Sequence, residues 1–408
     1  MIDWYRDLGP AERRTFWACF GGWALDALDV QIYTFAIPAL IAVWHISNTQ
    51  AGLLATSALV ISAFGGWIAG MLADRVGRAR LLMVMIAWFA FFTFLSGFTQ
   101  NFEQLLVVRA FQGFGFGGEW AAGSVLMGEV IRGTDRGKAV GTVQSAWAFG
   151  WAAAAILATV IFLILPQQIA WRALFFVGIL PALLVFYIRR KVPEPEIFKA
   201  VVQGEVRRGA LEIFHAPLLP TTLLAAALAT GAQGGYYAIT TFLPTFLRTQ
   251  RHLTVLGTGG YLAVIIVGSW LGYIVSAYLN DAIGRRKNFF IFAVGSFLIA
   301  VAYTQADISD SMMLALGFPL GFFASGIFSG MGPVLTELFP TSVRGAGQGF
   351  CYNFGRGLGA FFPTLVGLLS ASVGLGTAIG VFAAISYAIV ILAALALPET
   401  RGRELVAN

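Results

Sequence analysis

Apolar runs of helical length recur along the chain, each closed by a short polar interval. Twelve can be marked off, near residues 16–43, 51–73, 81–99, 104–128, 138–164, 171–188, 217–247, 257–279, 288–305, 311–336, 346–370 and 375–397. Each holds about 20 residues, the length an α-helix needs to cross a hydrocarbon core. The pattern predicts an all-α membrane protein of twelve transmembrane helices. The first and seventh runs exceed a straight span and contain Pro38 and Pro244, which predicts tilting or kinking there.

The polar intervals are unequal. Alternate ones are rich in Lys and Arg: Arg6, Arg13 and Arg14 at the N-terminus, then clusters at 75–80, 132–138, 189–208, 285–287, 344 and 401–403. The opposite intervals hold only Arg172, Arg248 and Arg251. Basic loops stay on the cytoplasmic side, so both termini and the long central loop are expected there. The chain also repeats itself. GMLADRVGRAR around Asp74 returns as SAYLNDAIGRRKN around Asp281, 207 residues later, and Glu129 and Arg136 return as Glu337 and Arg344, 208 later. Pro193-Glu194 is answered by Pro398-Glu399. The repeat predicts six-helix halves at 1–188 and 217–408, a cytoplasmic linker at 189–216, and a site where the halves meet.

Composition narrows the function. Of 408 residues, 58% are hydrophobic and 11% charged, against about 25% charged in a soluble domain. The net charge of +6 is no nucleic-acid signature, because the basic residues punctuate helix ends rather than line one face. Cys19 and Cys351, the only cysteines, lie in apolar runs and imply no disulfide framework. The leader MIDWYRDLGPAERR carries acids and no cleavage site, so it reads as cytoplasmic rather than as a signal peptide. No metal cluster, nucleophile–histidine set or soluble catalytic domain is present, and His45, His215 and His252 fall in loops or at their edges. An enzyme is therefore not expected, nor a metal or cofactor.

The segment Gly70-Met71-Leu72-Ala73-Asp74-Arg75-Val76-Gly77-Arg78, its repeat and the twelve runs resemble the major facilitator superfamily over essentially the whole chain. DWYRDLGPAERRTF followed by LDALD, WRALFFVGILP at 171–181 and FLPTFLRT at 242–249 are similar to sialic acid/proton symporters. Asp26-x-x-Asp29 and Gly355-Arg356-Gly357 resemble aromatic-acid/proton symporters, with Ala27 where those usually carry glycine. The fifth run lacks the glycine-proline motif of drug antiporters. The ending Pro398-Glu399-Thr400-Arg401-Gly402 is shared with sugar porters. The resemblance implies a secondary transporter of the bacterial inner membrane, working by alternating access and expected to be a monomer. It also implies a cytoplasmic gate formed by Asp74, Arg75, Gly77 and Arg78 with Glu129 and Arg136, and by Asp281, Arg285, Glu337 and Arg344. A plain positive-inside turn would explain the arginines but not the repeated acids.

Within the runs, a few residues are too polar for lipid. Asp26 and Asp29 are three apart and share a helix face. Asp26 lies roughly 18 Å of helix beyond Arg14, near mid-membrane. Intramembrane acids default to a functional reading, here as proton carriers; the alternative is that one anchors the helix to a neighbouring backbone. Arg109 and Gln112 open RAFQGFGFGGEW, which resembles the Arg-x-x-Gln-Gly pattern of proton-coupled members. An Asp29–Arg109 pair would serve as the coupling device, unless Arg109 snorkels to the headgroups. Glu119, deeper on the same helix, is a second proton site or a structural hydrogen-bonding partner. Gly113, Gly115, Gly117 and Gly118 favour close helix packing and form no phosphate loop, since no strand precedes them.

Arg356 also lies roughly 18 Å deep, counted from Arg344. A guanidinium there needs a negative partner, and its planar fork matches a carboxylate. The second half carries no acid at that depth, which suggests a carboxylate substrate; the alternative is a pair across the cavity with Asp26 or Glu119. Tyr236, Tyr237, Tyr352, Asn353, Trp120 and Gln144 would shape the rest of the pocket. Trp147, Trp151 and the many Phe read as packing or lipid surface. The expected partners are a small organic anion, protons and the bilayer. The favoured activity is proton-driven import of a monocarboxylate of aromatic or sugar-acid type; transport of a neutral sugar or polyol is the alternative.

Overall fold

The structure is a computed structural model describing residues 3–6, 8–76, 78–130, 136–192, 210–339 and 343–401. Within these, the side chains at 3–4, 70–71, 73–76, 78, 120–122, 124–125, 128–130, 136–138, 140, 210–211, 256, 281, 336 and 344–345 lie outside the description. Trp120 and the gate side chains of Asp74, Arg75, Arg78, Glu129, Arg136, Asp281 and Arg344 therefore fall outside it, as does Gly77.

Among the described residues every regular element is helical. In chain order the spans are Pro10–Trp44, Asn48–Val76, Arg78–Ser96, Phe102–Val130 and Arg136–Ile164, then a sixth made of Gln167–Val177 and Ala182–Lys191. They continue as Leu219–Thr249, Val255–Ile283, Arg285–Gln305, a tenth beginning at Asp310–Gly326, an eleventh beginning at Arg344–Gly359, and Leu375–Ala396. Ten stretches meet the length and apolarity of a membrane crossing; the fourth and seventh spans, of 29 and 31 residues, complete the set of twelve.

Three spans are broken, each beside a residue that cannot continue the hydrogen-bond ladder. Gly178 and Pro181 flank the turn in the sixth. The tenth tightens to a 3-10 turn at Ile327–Gly330 before Met331–Leu338, which holds Pro333. The eleventh breaks at Ala360, ahead of Phe361–Val373 with Pro363. Proline lacks the N–H that would close the turn before it. At the break in the eleventh span, Thr56 of the second span donates its hydroxyl to the Ala360 carbonyl at 2.5 Å, a contact from a neighbouring helix.

Close packing rests on glycine at two equivalent places. A Cβ on Gly113 of the fourth span would lie 1.9 Å from the Ala58 carbonyl oxygen of the second, and one on Gly321 of the tenth 1.8 Å from that of Ile265 of the eighth. Only glycine lets these backbones touch. The first and seventh spans are the most enclosed: residues 31–40 of the first and 231–247 of the seventh are buried throughout. The seventh can thus carry Gln233, Tyr236 and Thr240 without presenting them to lipid. Trp67, Ile164, Leu183, Phe186 and Leu392 instead stand exposed, forming the apolar outer surface a bilayer requires.

Candidate functional site

The first span delivers two buried carboxyl groups to different neighbours. Asp29 accepts hydrogen bonds from the Thr93 hydroxyl of the third span and the Gln112 amide of the fourth. Arg109 lies three residues before Gln112, hence on the same face. It is 3% exposed and does not snorkel. Its guanidinium stacks over Tyr33 at 4.4 Å and acts on Asp29 through space. The direct donors to Asp29 are therefore Thr93 and Gln112, with Arg109 as a nearby counter-charge.

Asp26 meets another acid. Neither of its oxygens meets a hydrogen-bond donor among the described residues, and the carboxyl group of Glu119 stands beside it. Both residues are almost wholly buried, at 0% and 2% exposure. Gly22, one turn before Asp26, makes the approach possible: a Cβ there would stand 2.3 Å from Glu119 Oε1. Like charges so close repel strongly out of water. The charge of Arg356 acts on both.

Arg356 is 1% exposed and built in from several sides. Its Nε donates to Gln233 Oε1 at 3.3 Å, while Gln233 Nε2 donates to the Tyr352 carbonyl at 2.9 Å. It hydrogen-bonds the hydroxyls of Tyr237 and Tyr352, and its plane lies over Phe116 at 4.8 Å and Tyr352 at 5.1 Å. A guanidinium so packed has little conformational freedom.

Aromatic rings close the site. Trp147 of the fifth span donates its Nε1–H to the Tyr236 hydroxyl at 2.5 Å and packs on Trp23 at 5.2 Å. Gln31 also hydrogen-bonds Tyr236, whose ring meets Tyr237 at 5.9 Å and Phe328 at 5.4 Å. A narrow cleft lies alongside, faced by Gln31 and Thr34, by Arg109 and Gln112, and by Tyr237 and Thr240. Trp147 and Trp151 are buried here at 5% and 2%, so the lipid-surface reading of them does not hold. The signal available was spacing: Trp147 follows Gln144 by three residues and shares its face. Gln144 itself is buried. Asn353 turns aside, donating to the Gly349 carbonyl at 2.9 Å and packing its Oδ1 against Gly66 of the second span.

A model of the Major Facilitator Superfamily matches residues 19–276 and 262–407. The chain belongs to that superfamily. It is 43% identical over 406 residues to a probable 4-methylmuconolactone transporter of Cupriavidus pinatubonensis, covering 98% of this chain and 94% of that one. It is 30% identical over 374 residues to a cis,cis-muconate transport protein of Acinetobacter baylyi, covering 86% of each. The solved structure of a bacterial homologue of the human lysosomal transporter Spinster superposes with a TM-score of 0.74 at 16% identity, over 95% of this chain and 98% of that one. The protein is thus a multi-pass membrane transporter with the twelve-helix superfamily fold, and not an enzyme.

At the helix ends of this superfamily member, two expected gate residues are in contact. Arg285 grips Glu337 with two hydrogen bonds, 3.1 Å from Nε and 2.8 Å from Nη2. Thr400 adds its hydroxyl to the same carboxylate at 2.6 Å. Glu399, which the motif reading left unassigned, accepts the backbone N–H groups of Arg285, Arg286, Thr400 and Arg401 at 2.9–3.1 Å. Partial burial would push its carboxyl up, but these four donors outweigh it and hold Glu399 below its ordinary value. Gly284 permits the contact: its φ is +98°, and a Cβ would approach Glu399 Oε2 to 2.7 Å. The signal for Glu399 was the repeated Pro-Glu ending.

Proposed function

We propose that the protein imports a small organic acid together with protons by alternating access in the bacterial cytoplasmic membrane. The observation that carries this reading is the buried Arg356 standing within electrostatic reach of the adjacent, buried Asp26 and Glu119 carboxyl groups. When that pair is protonated, Arg356 has less negative charge to answer, and a substrate carboxylate can take its fork. When the proton leaves, the pair competes for Arg356 and the substrate is released. An anion that enters with protons keeps the buried charge in balance, which a low-dielectric site demands.

The aromatic box of Trp147, Tyr236 and Tyr237 suits a flat or ring-derived acid, and relatives named for 4-methylmuconolactone and cis,cis-muconate point to the same class. Asp29 and Arg109 fix the first, third and fourth spans beside the site. The halves 1–188 and 217–408 rock about it, joined by the linker 189–216, with both termini cytoplasmic. The charges at 74–78, 129, 136, 281, 285, 337 and 344 hold the cytoplasmic gate, the protein acting as a monomer.

Proton flux into proteoliposomes carrying an internal pH dye tests this. The panel is 4-methylmuconolactone, cis,cis-muconate, hydroxybenzoates, sialic acid and lactate, with neutral sugars and polyols as controls. Acidification with one class of acid is expected. Uptake of neutral sugars without proton movement would overturn the reading, and Asp26 and Glu119 would become structural.

A further inference from the structure

Three arginines stand on the face opposite the basic loops, and two are committed. Arg172 donates to the carbonyls of Gly97 and Thr99 at 2.8 and 2.6 Å and lies over Trp171 at 4.2 Å. Arg251 pairs with Asp310 at 3.3 Å and donates to the Ile308 carbonyl at 2.7 Å. Arg248 makes no hydrogen bond or ion pair among the described residues; it stacks on Phe162 of the fifth span at 5.7 Å. It also lines a second, narrow cavity with Phe35 and Pro38 of the first span, Thr159 and Phe162 of the fifth, and Pro244 of the seventh.

The two cavities are stacked along the same helices. On the seventh span Tyr237, Thr240 and Thr241 face the central one, and Pro244 and Arg248 the outer one. On the first span Thr34 faces the central one and Phe35 and Pro38 the outer. Thr241 and Pro244 are roughly 4.5 Å apart along the helix, less than one turn. A helix C-terminus favours a cation through its dipole, but that does not require the cation to be half-buried in a cavity against an aromatic ring.

We infer that the outer cavity is an anion-docking site, where Arg248 takes the carboxylate of a small organic acid before it passes inward along the first and seventh spans. The inference rests on the transport reading above and adds an assigned entry point to it. The apolar wall of Phe35, Pro38 and Pro244 receives the hydrocarbon part, while Arg248 shifts its guanidinium from the Phe162 ring to the carboxylate. A cation in a low-dielectric mouth focuses its field on arriving anions.

The test uses the full chain in proteoliposomes, comparing wild type, Arg248→Gln and Arg248→Lys with the acid that drives the largest proton flux. Arg248→Gln is expected to raise KM about five- to tenfold at low salt and leave kcat unchanged, as loss of electrostatic capture does. Arg248→Lys restores most of the KM, and the gap closes at about 1 M salt, where the Debye length falls to ~3 Å. An unchanged KM in Arg248→Gln, or a lower kcat at constant KM, overturns the docking role. A second arm does not depend on transport: Thr159→Cys is labelled with anionic and cationic methanethiosulfonates, against the background of the buried Cys19 and Cys351. Faster anionic labelling that disappears with Arg248→Gln supports the site even if no acid is transported, in which case only the transport reading falls. No charge preference overturns it.

Discussion

Asp26 and Asp29 sit three residues apart on one helix face, yet the fold gives them opposite surroundings. Asp29 is met by two donors, Thr93 and Gln112, with Arg109 close by. Asp26 is met by a second acid, Glu119. On the proposed function, Asp29 with its donors and counter-charge is the fixture, and Asp26 facing a second carboxyl group is the proton store. Identical residue types at helical spacing thus meet different surroundings, and the neighbouring helices make the difference.

That contrast can be broken in order of expected effect. Asp26→Asn should abolish proton-driven accumulation while sparing counterflow exchange, and should not lower the thermal unfolding midpoint in detergent, because it relieves an acid–acid contact. Undiminished uphill uptake would remove Asp26 from the coupling step. Asp29→Asn should behave in the reverse sense. It strips Arg109 of its counter-charge and should cost about 3–5 kcal/mol of stability, read as a lower unfolding midpoint. Adding Arg109→Gln should recover part of that loss, and a fully stable single variant would return Asp29 to the list of proton carriers.

Smaller effects sharpen the substrate side. Arg356→Lys keeps the charge but removes the planar fork, and should weaken acid binding by about 1.5–3 kcal/mol, the worth of a hydrogen bond to a charged group. Wild-type affinity in that variant would argue against direct contact with the carboxylate. Trp147→Phe deletes the donor to Tyr236 and keeps the ring; a net loss of about 1 kcal/mol, or roughly fivefold in affinity, is expected from equilibrium binding.

The smallest effect lies at the helix ends. Glu399→Gln should cost less than about 1 kcal/mol, since the group is exposed and screened. The folded carboxyl is held below its unfolded value, so its contribution is complete above the unfolded value of about 4.3 and is lost as pH falls through the folded one. The stability gap between wild type and Glu399→Gln should therefore narrow from pH 7 to pH 3. A gap that widened toward acid would reverse the assignment.

Much of the fold was legible because lipid is a demanding solvent. A run of about 20 apolar residues has one stable form there, so the spans followed from hydropathy, and Asp26, Asp29, Arg109, Glu119 and Arg356 stood out as groups lipid rejects. The breaks in the sixth, tenth and eleventh spans were less visible. Proline and glycine stand beside them, but whether a helix bends or stops depends on the helices packed around it, as where Thr56 bonds the Ala360 carbonyl. For Trp147 and Trp151 the sequence left packing and lipid surface open, because an indole in an apolar run is equally at home in either, and burial decides for packing.

By itself, then, the sequence determined the number of crossings, their repeat and the identity of the buried ionisable groups, since desolvation makes each a local, residue-level fact. Only the tertiary structure decided which charge faces which. The Asp26–Glu119 contact, the Thr93 and Gln112 donors to Asp29, the Tyr and Phe walls around Arg356 and the Arg248 cavity all join helices distant in the chain. Electrostatic and hydrogen-bond energies depend on separations of a few ångströms, and spacing along one helix says nothing of the distance to another.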